Sequence, residues 1–205
     1  MIYDTINPEV LKFILQDAKP GVRILDVGCG TGKLGKLIKS KINCYLVGIE
    51  IDPEAAKIAQ EGYDKIIEMN LEELITGKQV LNTIGKYDII VLGDILEHIT
   101  QPRQLLYYLQ HALEGNGCLI ASIPNIANWM VRIKLLFGIF NYSGGILDEG
   151  HLRFFTYRTA RKLLQESGYR IISITNNNHT ALIRTLGGIW KKLFAFQFVF
   201  KCRRN

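Results

Sequence analysis

Gly28, Gly30 and Gly32, with Asp26 just before them, Glu50 further on, and Asp94, Glu97, His98 and His151 beyond offer this chain a ligand-binding loop and a set of acid and imidazole groups. Alternating glycines leave no side chain to block a ligand lying on the backbone, and they permit the positive φ angles of a tight strand-to-helix turn. A dinucleotide fingerprint, G-x-G-x-x-G, would place its third glycine at position 33, where Lys33 stands. A phosphate-cradling loop would need four residues between its outer glycines and then Lys-Ser or Lys-Thr. Here Gly28 and Gly32 enclose three, and Lys33 precedes Leu34. Asp26 suits a ligand carrying a positive group better than a pyrophosphate. Glu50, 18 residues beyond Gly32 at the end of an apolar run, can accept both hydroxyl protons of a ribose. Asp52, beside Pro53 at a helix start, reads as the cap instead. Asp94, Glu97 and His98 offer three oxygen or nitrogen ligands at close spacing for a divalent cation. Solvated loop acids are the plainer reading of the same residues, and no metal is assigned.

Strand and helix patterns alternate along the chain around these groups. A leading helix is expected near Asn7–Ala18, strand one at Val22–Val27, a helix at Thr31–Ser40, strand two at Cys44–Ile49 and a helix at Pro53–Gln60. Strand three follows at Lys65–Met69, and the strongly apolar Tyr87–Leu92 reads as a central fourth strand. After a helix at Gln101–Leu113, the turn residues Gly115-Asn116-Gly117 introduce strand five at Cys118–Ile123. A helix at Tyr157–Glu166 stops at Ser167-Gly168, strand six is Tyr169–Thr175, and strand seven is Phe194–Lys201. The pattern spans residues 1–205 as one α/β domain with no linker or repeat.

Composition agrees with that class. The 205 residues are 48% hydrophobic, no uninterrupted apolar run reaches a membrane span of roughly 18–20 residues, and Met1-Ile2-Tyr3-Asp4 has no signal-peptide character. Four cysteines without metal spacing read as reduced buried thiols, and the expected location is cytoplasmic. The net charge of +6 is unevenly placed: residues 121–205 carry 13 Lys/Arg against 3 Asp/Glu. That basic half suits an anionic acceptor or a nearby anionic bilayer. Nucleic acid ranks low, because no recognition helix, zinc finger or aromatic-interleaved basic motif occurs. No feature fixes an oligomeric state.

Asp26-Val27-Gly28-Cys29-Gly30-Thr31-Gly32, followed in order by Val47-Gly48-Ile49-Glu50, resembles the class I S-adenosylmethionine-dependent methyltransferases. The resemblance implies a Rossmann-like, doubly wound seven-stranded sheet, parallel except for an antiparallel seventh strand beside the sixth. It implies S-adenosylmethionine as cofactor and S-adenosylhomocysteine as product. The implied cofactor set is Asp26, Gly28, Cys29, Gly30 and Gly32 in the loop, Glu50 with Ile51, Asn70 with Leu71, and Gly93 at the end of strand four. Asn70 stands where the family usually has Asp for the adenine amino group, and its amide oxygen can still accept. For proton removal from an acceptor, His98 and His151 are the candidates. His111 reads as a helix-surface residue, and His179 lies in an Asn-rich stretch.

Residues 124–156 form an insertion on the substrate side. A helix from about Ala127 to Phe137 would gather Trp129, Ile133 and Leu136 or Phe137 on one face, with Arg132 to one side. This helix is expected to be a lid over an apolar or lipid-linked substrate, packed on the domain in preference to touching a membrane. Two narrower resemblances compete. Ser122-Ile123-Pro124-Asn125 and His151-Leu152-Arg153-Phe154-Phe155-Thr156 look like the methionine-biosynthesis W proteins, which implies a non-catalytic partner or regulatory module as the alternative. Glu97-His98 resembles the ubiquinone-pathway and glycan-associated enzymes, whose Glu-x-x-Glu-His metal motif has Asp94 here in place of its first acid. The expected activity is methylation of a hydroxyl oxygen on a small, lipidic or sugar acceptor.

Overall fold

A computed structural model describes residues 6–76, 84–142, 144–177 and 191–205. Seven strands build one sheet: β1 Val22–Val27, β2 Cys44–Glu50, β3 Lys65–Glu68, β4 Tyr87–Gly93, β5 Leu113–Pro124, β6 Tyr169–Asn177 and β7 Gln197–Arg204. Their spatial order is β3-β2-β1-β4-β5-β7-β6. β1 lies parallel to both β2 and β4, β2 to β3 and β4 to β5, whereas β7 runs antiparallel to β5 and to β6. The expected doubly wound sheet with one reversed strand is what the chain forms. The helices are α1 Pro8–Asp17, α2 Lys33–Lys39, α3 Pro53–Ala59, α4 Leu71–Thr76, α5 Pro102–Ala112, α6 Trp129–Leu136, α7 Tyr157–Glu166 and the single turn α8 Lys191–Phe194.

The central strands read as continuous apolar runs because both sheet faces are covered. Leu25, Val27, Ile90 and Leu92 point to a layer containing Leu105, Leu106 and Leu109 of α5. Their neighbours Ile24, Ile89 and Val91 point to the opposite layer, with Phe13 and Ile14 of α1 and Ile38 of α2. Strand order reverses between β1 and β4, since the chain goes outward from β1 to β3 and returns to pair on the other side of β1. In open α/β sheets that reversal leaves a crevice at the strands' carboxyl ends. Asp52 caps α3 as expected, accepting from Glu54 N and Ala55 N at 2.8 and 3.0 Å.

Four local features differ from expectation. β5 starts at Leu113, and its register jumps from Tyr87↔Leu113 to Ile89↔Cys118, so residues 114–117 form a bulge within the strand where a turn before it is expected. β7 begins at Gln197, because residues 191–194 coil into α8. Helix α4, absent from the expected elements, is started by Asn70, whose Oδ1 accepts from Glu72 N at 3.0 Å. The largest difference is α6, which buries only Val131 and leaves Ile133 46%, Leu136 81% and Phe137 73% exposed. The apolar face expected to pack on the domain therefore faces outward, although Trp129 stays half-buried beside Phe194.

The insertion is anchored at its start by two buried asparagines. Asn125 Nδ2 donates to Lys192 O and Ala195 O at 3.0 and 2.9 Å, and Asn128 Nδ2 to Phe194 O and Ala195 O at 3.2 and 3.0 Å. All four cysteines are buried and carry no disulfide. No helix among the described residues is long and apolar enough to cross a membrane.

Candidate functional site

The carboxyl ends of β1, β2 and β4 surround the glycine loop. Gly28 N and Cys29 N donate to Ile49 O at 2.8 and 3.0 Å, which fixes the loop against β2. Glu50 then ties the loop to the strand end: Oε2 accepts from Gly30 N at 2.8 Å, and Oε1 accepts from Ile51 N and Asp52 N at 2.9 and 3.0 Å. Gly28 has φ 74°, and a Cβ there would lie 2.1 Å from Ile95 Cδ1, so glycine keeps the cavity floor open. Gly32, at φ 80°, is the N-cap of α2, and its Cβ would come within 2.8 Å of Ala59 Cα.

Beneath the loop, Asp26 is 3% exposed and accepts a 2.6 Å hydrogen bond from Tyr63 Oη. Burial pushes its carboxyl up to about 6, the negative charge of Glu50 adds to the rise, and the tyrosine hydrogen bond opposes it. Tyr63 is a residue that sequence reasoning missed. Its main trace is Gly35, whose absent side chain makes room for the Tyr63 ring, since a Cβ there would sit 2.2 Å from Tyr63 Cε2, and a Cβ at Gly48 or Gly32 would approach the same ring to 3.1 Å. Asp26 and Cys29 line a small recess of about 90 Å³, together with Asn7 and Lys33. The recess shares Gly28, Gly93 and Asp94 with a much larger cavity.

That cavity, about 850 Å³, falls within the range of small-molecule sites, roughly 300–1,000 Å³. Gly28, Gly30, Glu50, Ile51, Asn70, Leu71 and Gly93 line it, as do His98, Tyr142 and Gly150. Seven of the ten expected cofactor residues thus belong to its lining. Asp26 and Cys29 lie in the adjoining recess, and Gly32 is set back as the helix cap. His98 lines the cavity, but His151 does not; it is 7% exposed and sits behind. His111 is exposed at the end of α5, as expected, and His179 lies outside the described residues.

The acids after β4 are not solvated. Asp94, held at φ 55°, has Oδ1 accepting from Ser122 Oγ at 2.8 Å and Oδ2 from Gln197 Nε2 at 2.7 Å. Both oxygens are engaged in joining β4 to β5 and β7, and Asp94 lies outside the group of side chains whose ligand atoms converge. Glu97 is 1% exposed, and neither carboxylate oxygen has a hydrogen-bond partner. Burial, and secondarily the charge of Asp94, holds its carboxyl well above the usual range. The loop before α7 folds back over this point. Leu152 N and Arg153 N donate to Glu97 O at 2.9 and 3.0 Å, His98 Nδ1 donates to Gly150 O at 2.8 Å, and His151 Nδ1 donates to Ile146 O at 3.0 Å. The two imidazoles meet edge to face at 4.8 Å, and burial lowers the pKa of His151. Ligand atoms of Glu97, His98 and His151 all lie within 4.8 Å of one another. These three are the residues arranged to hold a cation, and the pairing of Glu97 with His151, 54 positions apart, left no signal in local spacing.

Comparison with known proteins adds family context. The model of the family described as "Methyltransferase domain" matches residues 3–174. A mitochondrial ubiquinone biosynthesis O-methyltransferase of Schizosaccharomyces pombe is 29% identical over 107 residues, 50% of this chain and 38% of that protein. A ubiquinone biosynthesis O-methyltransferase of Burkholderia pseudomallei is 24% identical over 174 residues, 82% of this chain and 74% of the relative. The chain spans only 38–51% of the length of several such relatives. Magnesium protoporphyrin IX methyltransferase of Synechocystis, solved with bound S-adenosylhomocysteine, superposes with a TM-score of 0.69 at 18% identity, covering 97% of this chain and 81% of that one.

Proposed function

Since the chain belongs to the methyltransferase-domain family matched over residues 3–174, we propose that it transfers the methyl group of S-adenosylmethionine to a hydroxyl oxygen of a small, lipidic or sugar acceptor. The observation that carries this reading is the cavity, which places Glu50 and His98 on one continuous space. When bound, the cofactor supplies a methyl group already activated on sulfonium, so the protein's work is holding, aligning and moving one proton.

Each residue has a task that its geometry allows. Glu50 accepts three backbone N–H groups, and a carboxylate has about four acceptor sites, which leaves capacity for a ribose hydroxyl. Asn70 Oδ1 accepts once, from Glu72 N, and keeps a second lone pair for an adenine amino group between Ile51 and Leu71. Asp26, in the recess beside Gly28, suits the ammonium of the amino acid end. Because its Nδ1 donates to Gly150 O, Nε2 is the His98 atom that would take the acceptor's proton. His151, edge-on to His98, orients it and the substrate-side loop.

Room beyond the glycine loop, walled by Ile95 and Ile99, favours transfer to an apolar acceptor over a purely ligand-binding role. The orphaned Glu97 carboxylate favours a second reading of the same chemistry. Glu97, His98 and His151 would hold a divalent cation, which would polarise the acceptor hydroxyl and replace the base.

Calorimetric titration with S-adenosylmethionine, S-adenosylhomocysteine and NAD tests the cofactor, followed by methyl transfer to a panel of apolar and sugar hydroxyl acceptors. The first two should bind and NAD should not. His98→Ala should keep binding and lose roughly 100-fold or more in turnover. Binding of NAD alone would overturn the cofactor, and an unchanged His98→Ala rate would remove the base.

A further inference from the structure

We infer that the outward face of the insertion is a docking surface for an anionic phospholipid bilayer, so that the cavity receives its acceptor from a membrane. This deepens the proposed function and rests on it only for the lipidic nature of the acceptor.

Exposed large apolar side chains are concentrated in one stretch. Leu136 is 81% exposed, Phe137 73%, Leu152 59% and Met130 53%, and Ile139 and Phe140 are also largely open. Ring contacts join the two loops, with the Phe140 centroid 5.5 Å from that of Tyr142 and 6.2 Å from that of Phe154, and Leu136, Phe137 and Ile139 directly precede Phe140 in the chain as Leu152 closely precedes Phe154. Scattered exposed apolar residues need no explanation, but a contiguous patch of this kind marks an interaction site. Its composition selects the partner. From Trp129 to Leu147 the only charged side chains are Arg132 and Lys134, and Arg153 lies between Leu152 and Phe154. Arg132 Nε donates to Ala127 O and Arg153 Nη2 to Thr100 O. None of the three cations has a carboxylate partner among the described residues.

Apolar side chains projecting beside unneutralised cations match the interface of an anionic bilayer, where the former enter the acyl boundary and the latter meet phosphate. Of the two acids in the following loop, Asp148 is buried and Glu149 lines the cavity. Position supplies the functional link. Tyr142 belongs both to the patch and to the cavity lining, which puts the entrance at the docking face. A molecule too apolar to leave the membrane could then reach His98 without crossing water.

The test is flotation of the full chain with phosphatidylcholine vesicles, with and without about a third phosphatidylglycerol, beside calorimetry with S-adenosylmethionine. Binding should require the anionic lipid and weaken with salt. Leu136→Ser/Phe137→Ser should reduce partitioning about tenfold or more, and Lys134→Glu about fivefold or more. Both variants should keep the wild-type circular dichroism and cofactor affinity. Absence of binding to anionic vesicles overturns the inference. So does a concentration-dependent dimer that the apolar double variant abolishes without any vesicle binding, since the face would then serve a second copy. Vesicle binding by a protein that ignores S-adenosylmethionine would sink the cofactor reading and leave the docking surface standing.

Discussion

Replacing Asp26 by Asn separates the charge of the buried carboxyl from its shape. Asp26 is 3% exposed, and its pKa is pushed from 3.8 up to about 6, mainly by burial. An acid whose pKa is raised by folding holds its proton more tightly in the folded state. Its favourable contribution is therefore complete below pH 3.8 and is lost as pH rises through 6. A shift of two units corresponds to about 3 kcal/mol, of which about 2 kcal/mol falls between pH 4.5 and 7.5. Asn does not titrate, and its amide oxygen can still accept from Tyr63 Oη. The stability of Asp26→Asn relative to wild type should thus climb by about 2 kcal/mol across that window, flattening above pH 7. Urea denaturation of the cofactor-free protein at fixed ionic strength measures this directly, provided the m-value is unchanged. A difference that stays flat to within about 0.5 kcal/mol would mean that Asp26 is ionised throughout, and the account of the site beneath the loop would fail. The proposed ammonium contact adds a second signature: Asp26→Asn should weaken S-adenosylmethionine binding more at pH 8 than at pH 5.

Two further substitutions divide binding from folding. Glu50→Ala should weaken S-adenosylmethionine binding by more than about tenfold, because it removes a charged hydrogen bond and releases the loop, whereas Asp52→Ala should cost about 1 kcal/mol of stability through the lost cap with little change in affinity. Equal effects on affinity would refute the choice of ribose ligand. For the cation reading, titration of Co²⁺ into the apoprotein should give a d–d absorption band that Glu97→Gln and His151→Ala abolish and Asp94→Asn retains. No band in the wild type would end that reading.

What was legible in the sequence was local. The run from Ile24 to Gly32 contains both the strand and the turn it feeds, and Glu50 marks the end of the next strand. The glycine loop and its carboxylate could therefore be placed from a few dozen residues. Glu97 reads as a solvated acid because the loop that buries it arrives about 50 positions later, in residues 144–155. Tyr63 was silent for the same reason, since its bond to Asp26 depends on how β2 and α2 stack. The helix in the insertion was legible as a helix, but its periodicity does not say whether an apolar stripe meets the domain or something else. Gly115-Asn116-Gly117 mark a break in pairing, but their local chemistry does not say that the break is absorbed as a bulge inside β5 instead of a turn ahead of it.

The two asparagines at the start of the insertion have a consequence for building chimaeras. Asn125 and Asn128 grip the carbonyls of Lys192, Phe194 and Ala195, which lead directly into β7. Substrate-side segments are attractive to exchange between relatives in order to move specificity. Here residues 124–156 are half of a two-part module, and its other half is the approach to the last strand. A graft of the first part alone would strand buried amide groups at the seam, whereas a transplant carrying residues 191–197 as well would bring its own closure.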